Sequence, residues 1–218
     1  MTEISPAILT NDLSDFRKQY AELLPLSQYY SKLHIDFADG EFVKAKTVLP
    51  ADIIFFRNSK IPSMAHLMVS NPVFFFEDCK AAGFTHVLFH YETFKNEEDV
   101  QLAINEAEKL GLIPGLAIGP NTPVLQIAKF IYRLKIIQIM SIHPGAQGRD
   151  FIPETLDKVK ELRSMSNSVI ICVDGGIKVG IARKLAQAGA NILVIGSAVS
   201  RSEDEEMALM ALKADIES

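Results

Sequence analysis

Residues 186–196, AQAGANILVIG, echo residues 80–90, KAAGFTHVLFH, and the pair decides how the chain folds. Each reads as the end of a helix, a glycine stop, two or three spacer residues and then a buried strand. Working outward, short β-branched runs recur at Glu3–Leu9, Lys32–Phe37, Ser63–Val69, His86–His90, Pro114–Ile118, Ile136–Ile142, Val169–Val173 and Ile192–Ile195. Stretches of helical period separate them at 12–24, 72–83, 96–111, 122–134, 153–165, 179–189 and 203–217, with a weaker segment near 50–56. Asp12 or Asn11 offers an N-cap, Pro153 suits a first turn, and Gly83, Gly111 and Gly189 stand just past helix ends.

Eight strand-then-helix units in 218 residues predict parallel strands with crossover helices. A doubly wound sheet and a closed barrel share that count. The doubly wound reading prefers a glycine-rich turn after the first strand, and PAILTNDL (6–13) has none. Polar and glycine residues instead follow many strands: Asp36, His66, His90, His143, Asp174 and Gly196. A barrel assembles its site from the C-terminal ends of several strands, so the expectation is an α/β fold, a single-domain (β/α)8 barrel spanning 1–218.

Composition sets the outer bounds. The chain is 48% hydrophobic, and no apolar run approaches the roughly 18 residues of a membrane span. Net charge is −5 with scattered lysines and arginines, which makes nucleic acid a poor partner. The first residues, MTEISPAILTND, carry no secretory pattern. Cys79 and Cys172, in unrelated segments, read as buried free thiols in a reducing, cytoplasmic compartment.

The second strand runs KLHIDFADGEF (32–42), and its period of two places His34 and Asp36 on one face. His66 in the third strand and Asp174 at the end of the seventh complete a set of two imidazoles and two carboxylates. In a barrel these converge at the top, and the donor set suits Fe2+, Zn2+, Mn2+ or Co2+. For any one of them alone, a hydrogen-bonded core group is the plainer reading. Three late strands are followed by HPGAQGRD (143–150), DGGIKVG (174–180) and IGSAVS (195–200). Glycines let backbone N–H groups approach an anion, and barrels commonly bind phosphate after the last strands, so a small phosphorylated ligand is expected.

The ordered stretches LHIDFADGEF, AHLMVSNP, LFHYET, GLAIGPNTPV, IMSIHPGAQGRDFIPETLDKVKELR, VDGGI and ANILVIGSAV together resemble the ribulose-phosphate 3-epimerases, from about Ile4 to Ser202. The resemblance implies a barrel isomerase that interconverts D-ribulose 5-phosphate and D-xylulose 5-phosphate. It places His34, Asp36, His66 and Asp174 as metal ligands. The catalytic Asp36 and Asp174 also exchange the C3 proton through a metal-stabilised enediolate. Gly145, Gly148, Gly175, Gly176, Gly196 and Ser197 would hold the phosphate, with the loop 143–150 closing over the site. Met68 and Met140 match positions lining the sugar cavity, and His143 is a further candidate there.

The chain departs from the family pattern at Ala7 for a serine, Ala38 for a methionine, and Lys44-Ala45 for a proline-asparagine. His143 and Gln147 likewise alter the glycine loop. These lie near the expected sugar position, so a ketohexose 6-phosphate is the alternative substrate. A non-catalytic sugar-phosphate-binding barrel is the alternative activity. The apolar NPVFFFEDC (71–79) permits a homo-oligomer, and equally a helix facing the barrel.

Overall fold

The computed structural model describes residues 2–145 and 148–218; the expectation placed on Gln147 lies outside them. Eight strands form in the predicted order: β1 Glu3–Ile8, β2 Leu33–Ala38, β3 Ser63–Met68, β4 His86–His90, β5 Ile113–Ile118, β6 Ile136–Met140, β7 Ile170–Asp174 and β8 Ile192–Ile195. Every neighbouring pair is parallel, and β8 returns to β1, which closes the sheet into a single-domain (β/α)8 barrel. Helices α1 Leu13–Leu23, α2 Phe76–Ala81, α3 Glu97–Lys109, α4 Thr155–Met165, α5 Ile181–Ala188, α6 Ser197–Ser200 and α7 Glu205–Glu217 cover the outside. Asp12 caps α1 by accepting the Asp15 N–H at 2.8 Å. Gly83, Gly111 and Gly189 take positive φ, where a side chain would be strained.

Three segments depart from the expected helices: the weaker one near 50–56 forms a 3-10 helix over Pro50–Asn58, and the other two depart for readable reasons. Within Val124–Phe130 the buried residues are Val124, Ile127 and Phe130, three apart, and the backbone there adopts the matching threefold 3-10 geometry. In 72–83, Pro72 opens a 3-10 turn that ends before α2. That turn spreads the three phenylalanines: Phe76 is buried, Phe75 is half-buried and Phe74 is 77% exposed. Only one ring of the three therefore faces fully inward. Among the described residues no helix is long and apolar enough to cross a membrane.

The strand period sorts side chains into two cores. Ile35, Phe37, Ala65, Leu67, Val87 and Phe89 point outward and pack under the helices. Ala7, Met64, Leu88, Ile136, Cys172, Ile192 and Val194 fill the barrel itself. Gly115 makes room in that inner layer: a Cβ there would stand 2.4 Å from Leu88 and 2.5 Å from Ile136. Cys79 and Cys172 are buried free thiols, as expected from their separation.

Candidate active site

The register lifts one polar tier above the apolar layer. Asp36 pairs across to His66 in the β2–β3 ladder, and Ala7 to His34 in β1–β2. His34, Asp36, His66 and Asp174 are all buried, and one ligand atom from each lies within 4.8 Å of all the others. His34 Nε2 stands 3.2 Å from Asp36 Oδ1 and 3.7 Å from Asp174 Oδ2. His66 Nδ1 stands 2.7 Å and 3.5 Å from the same two oxygens. Asp36 thus turns Oδ1, and Asp174 Oδ2, toward the imidazoles.

The buried ring nitrogens of His34 make no hydrogen bond among the described residues, although Nε2 faces both carboxylates. Buried polar atoms are normally satisfied, because an unpaired one costs about 1–3 kcal/mol. A ring nitrogen set between two carboxylates, with no hydrogen-bond partner, is where a shared cation fits. Two imidazoles and two carboxylates are also the donors that divalent ions of intermediate softness take. The cluster therefore fits a divalent metal ion.

The two carboxylates differ in proton affinity. Burial pushes both toward the neutral form. At Asp36, the close approach and charge of His34 and His66 override burial and hold the carboxyl well below the usual range. At Asp174 burial prevails, with the charge of Asp36 adding to it, and the group rises to about 6. His34 is raised, because Asp36 and Asp174 overcome its own burial.

Asp36 and Asp174 line the floor of a cavity of about 470 Å³, its mouth included, with His34 and His66 buried beside them. Met68, Met140, Ile142 and Ala7 line its wall, and Gly145, Gly148, Gly175, Gly176, Gly196 and Ser197 line its rim. The tandem Gly175-Gly176 both have positive φ, and a Cβ on Gly175 would stand 2.3 Å from Ile142. Every expected phosphate residue thus meets the same cavity as the acid pair. His143 is exposed and is not among the lining residues, although its neighbours Pro144 and Gly145 are. Of the described departures, Ala7 alone lines the cavity; Ala38 is buried outside the lining and Lys44 is exposed.

Sequence reasoning passed over two further residues. Gln138 is fully buried inside the barrel, and its amide donates to Asp174 Oδ2 at 3.3 Å and lies 3.4 Å from Met140 Sδ. The signal was a lone amide inside the apolar run IIQIM, on the inward side. Glu92, two residues beyond His90, accepts from that imidazole at 3.2 Å. The H-x-E spacing at a strand end was its signal.

Comparison with known proteins agrees with this geometry. The model of the ribulose-phosphate 3 epimerase family matches residues 3–200. The ribulose-phosphate 3-epimerase of Schizosaccharomyces pombe is 32% identical over 215 residues, covering 97% of this chain and 92% of its own. The cytoplasmic isoform of ribulose-phosphate 3-epimerase from Oryza sativa is 29% identical over 219 residues, covering 99% and 94%. Among solved structures, 3-hexulose-6-phosphate synthase from Salmonella typhimurium superposes with a TM-score of 0.74, covering 99% of this chain and 98% of its own. At 13% identity that likeness concerns the fold alone. The chain belongs to the ribulose-phosphate 3-epimerase family, and is an isomerase acting on carbohydrates.

Proposed function

We propose that the protein inverts C3 of a ketose phosphate, with D-ribulose 5-phosphate and D-xylulose 5-phosphate as the pair. The observation that carries the reading is Asp36 and Asp174 on the floor of one cavity with opposed proton affinities. Inverting a carbon beside a ketone requires a base on one face and an acid on the other. A buried pair in which Asp36 holds a proton weakly and Asp174 holds one more strongly suits that exchange. Each carboxylate turns one oxygen to the imidazoles and keeps the other for the substrate proton. A divalent cation held by His34, Asp36, His66 and Asp174 supplies Lewis-acid stabilisation of the negative charge that develops on the sugar oxygens. Gln138 keeps Asp174 oriented toward the cluster, and Met68 and Met140 exclude water beside the reacting carbon.

The glycine rim supports a phosphate seat. Gly175 and Gly176 cannot carry a side chain without collision, so the backbone there stays open to an anion. Ala7 on the cavity wall favours a second substrate, a ketohexose 6-phosphate. The cytoplasm is the proposed compartment, supported by two free thiols and the cytoplasmic isoform of the rice relative. A homo-oligomer is supported by the exposed Phe74, Leu102 and Tyr132.

The test is to strip the protein with a chelator, restore Fe2+, Zn2+, Mn2+ or Co2+ separately, and offer each ketose phosphate. Formation of the C3 epimer of D-ribulose 5-phosphate with at least one cation is the expected result. Turnover of the hexulose phosphate alone reassigns the substrate. Tight binding of both sugars without turnover turns the protein into a sugar-phosphate binder.

A further inference from the structure

His66 enters the cluster through Nδ1 and turns Nε2 away from it, to 3.0 Å from Nε2 of His90. His90 is fully buried under Phe42, and its Nδ1 lies 3.2 Å from Glu92 Oε2. The other carboxylate oxygen, Oε1, accepts the Gly119 N–H at 2.6 Å and also the Thr122 hydroxyl. Lys158 Nζ then ties the Gly119 and Thr122 carbonyls at 2.9 and 2.7 Å, which fixes the loop that holds the carboxylate. A chain of polar contacts thus runs from the outer loop to a ligand of the cluster, and catalysis as derived above makes no use of it.

With His66 Nδ1 and Asp36 Oδ1, 2.7 Å apart, taken as two ligands of one cation, the donor count along this chain has one solution. A carboxylate only accepts, and a neutral imidazole has one donor nitrogen and one acceptor nitrogen. Burial would favour a protonated Glu92, but His90, Thr122 and Gly119 outweigh it and bring the carboxyl down to about 2. His90 is fully buried and meets an imidazole, not a second carboxylate, at Nε2, so it enters the count as a neutral ring. His90 must therefore place its proton on Nδ1, toward Glu92. Its Nε2 is then bare and needs a donor, which is the Nε2–H of His66. With that proton fixed on Nε2, the Nδ1 lone pair is the one His66 can give to a cation.

We propose that His90 and Glu92 are positioning residues that set the tautomer of His66, so that Nδ1 faces the cluster as a ligand. The inference rests on the metal reading above. It has a consequence that a merely structural role lacks. Glutamine has nearly the shape of glutamate, yet the Gly119 N–H would keep its oxygen at the Oε1 place and turn its NH2 toward His90. An NH2 there makes His90 Nδ1 an acceptor, puts the proton on His90 Nε2, and leaves His66 Nε2 bare. His66 then carries its proton on Nδ1, where the cation should sit. Methionine at 92 imposes no tautomer at all.

The experiment compares the full-length wild type, Glu92→Gln and Glu92→Met, each stripped of metal and checked for an unchanged circular dichroism spectrum. Zn2+ affinity is read by competition with a chromophoric chelator. The His66 tautomer is read from long-range 1H–15N correlations in histidine-labelled protein. The expected order of affinity is wild type, then Glu92→Met, then Glu92→Gln, the last weaker than wild type by roughly 10–100-fold. His66 should carry Nε2–H in the wild type and Nδ1–H in Glu92→Gln. Equal affinity in wild type and Glu92→Gln, or a stronger loss in Glu92→Met, overturns the relay and leaves the metal reading standing. A wild type that binds no cation while the tautomers invert as described overturns the metal reading and supports the relay.

Discussion

Met64, Leu88, Ile136 and Cys172 fill the lower barrel; two residues further along the same four strands stand His66, His90, Gln138 and Asp174. Both tiers are removed from water, and both point inward by the same strand period. The lower tier is stabilised by burial and close packing. The upper tier makes up its desolvation cost only by mutual contacts, each polar group answering another: Asp36 with His66, His66 with His90, His90 with Glu92, Gln138 with Asp174. His34 alone is left unanswered, between the two carboxylates. One tier makes the fold and the other the chemistry, and substitutions should separate them.

The largest effect is expected at the acid pair. Asp36→Asn and Asp174→Asn should each lower epimerase activity by about 10²–10⁴-fold, the span of general acid–base catalysis, measured by coupled assay on metal-loaded protein. Met64→Ala, one tier below, should do the reverse. It should cost about 2–5 kcal/mol in urea unfolding while kcat changes little. A Met64→Ala variant that loses activity without losing stability would break the separation of tiers.

Glu92 gives a pH dependence of known sign. Its folded value is about 2 against an ordinary 4.5, so its stabilisation is present above pH 4.5 and lost as pH falls toward 2. Unfolding of metal-free wild type and Glu92→Gln should therefore differ most near neutral pH. The gap should narrow by at most about 3 kcal/mol at acid pH. The cation supplies a similar quantity. At a hundredfold excess over its dissociation constant it should raise the unfolding free energy by about 2.7 kcal/mol, visible as a higher Tm that chelator reverses. Ala7→Ser should have the smallest effect. Narrowing the cavity wall should shift the pentulose-to-hexulose ratio of kcat/KM by about 10-fold or less, with stability within about 0.5 kcal/mol.

Much of this was legible in the sequence because period and order carry it. The glycine-stopped unit at 80–90 and 186–196 fixed the strand phase, and all eight strands lie within two residues of the expected ends. His34, Asp36, His66 and Asp174 followed from that phase, since residues two apart share a face. The 3-10 segments were hidden, because a spacing of three at Val124, Ile127 and Phe130 also sits inside a helical pattern. Gln138 and Glu92 were hidden for another reason. Their partners, Asp174 and Gly119, are brought near by the pairing of β6 with β7 and by a loop, and no local period reports either. His143 shows the converse: a loop histidine quoted beside a site need not point into it.

The most direct test of the two-carboxylate reading is proton NMR of the metal-loaded protein with D-ribulose 5-phosphate in D2O. The two-base reading predicts that D-xylulose 5-phosphate appears carrying deuterium at C3 from the first turnovers. Product that keeps its original C3 proton, or no C3 exchange in either sugar, would contradict it.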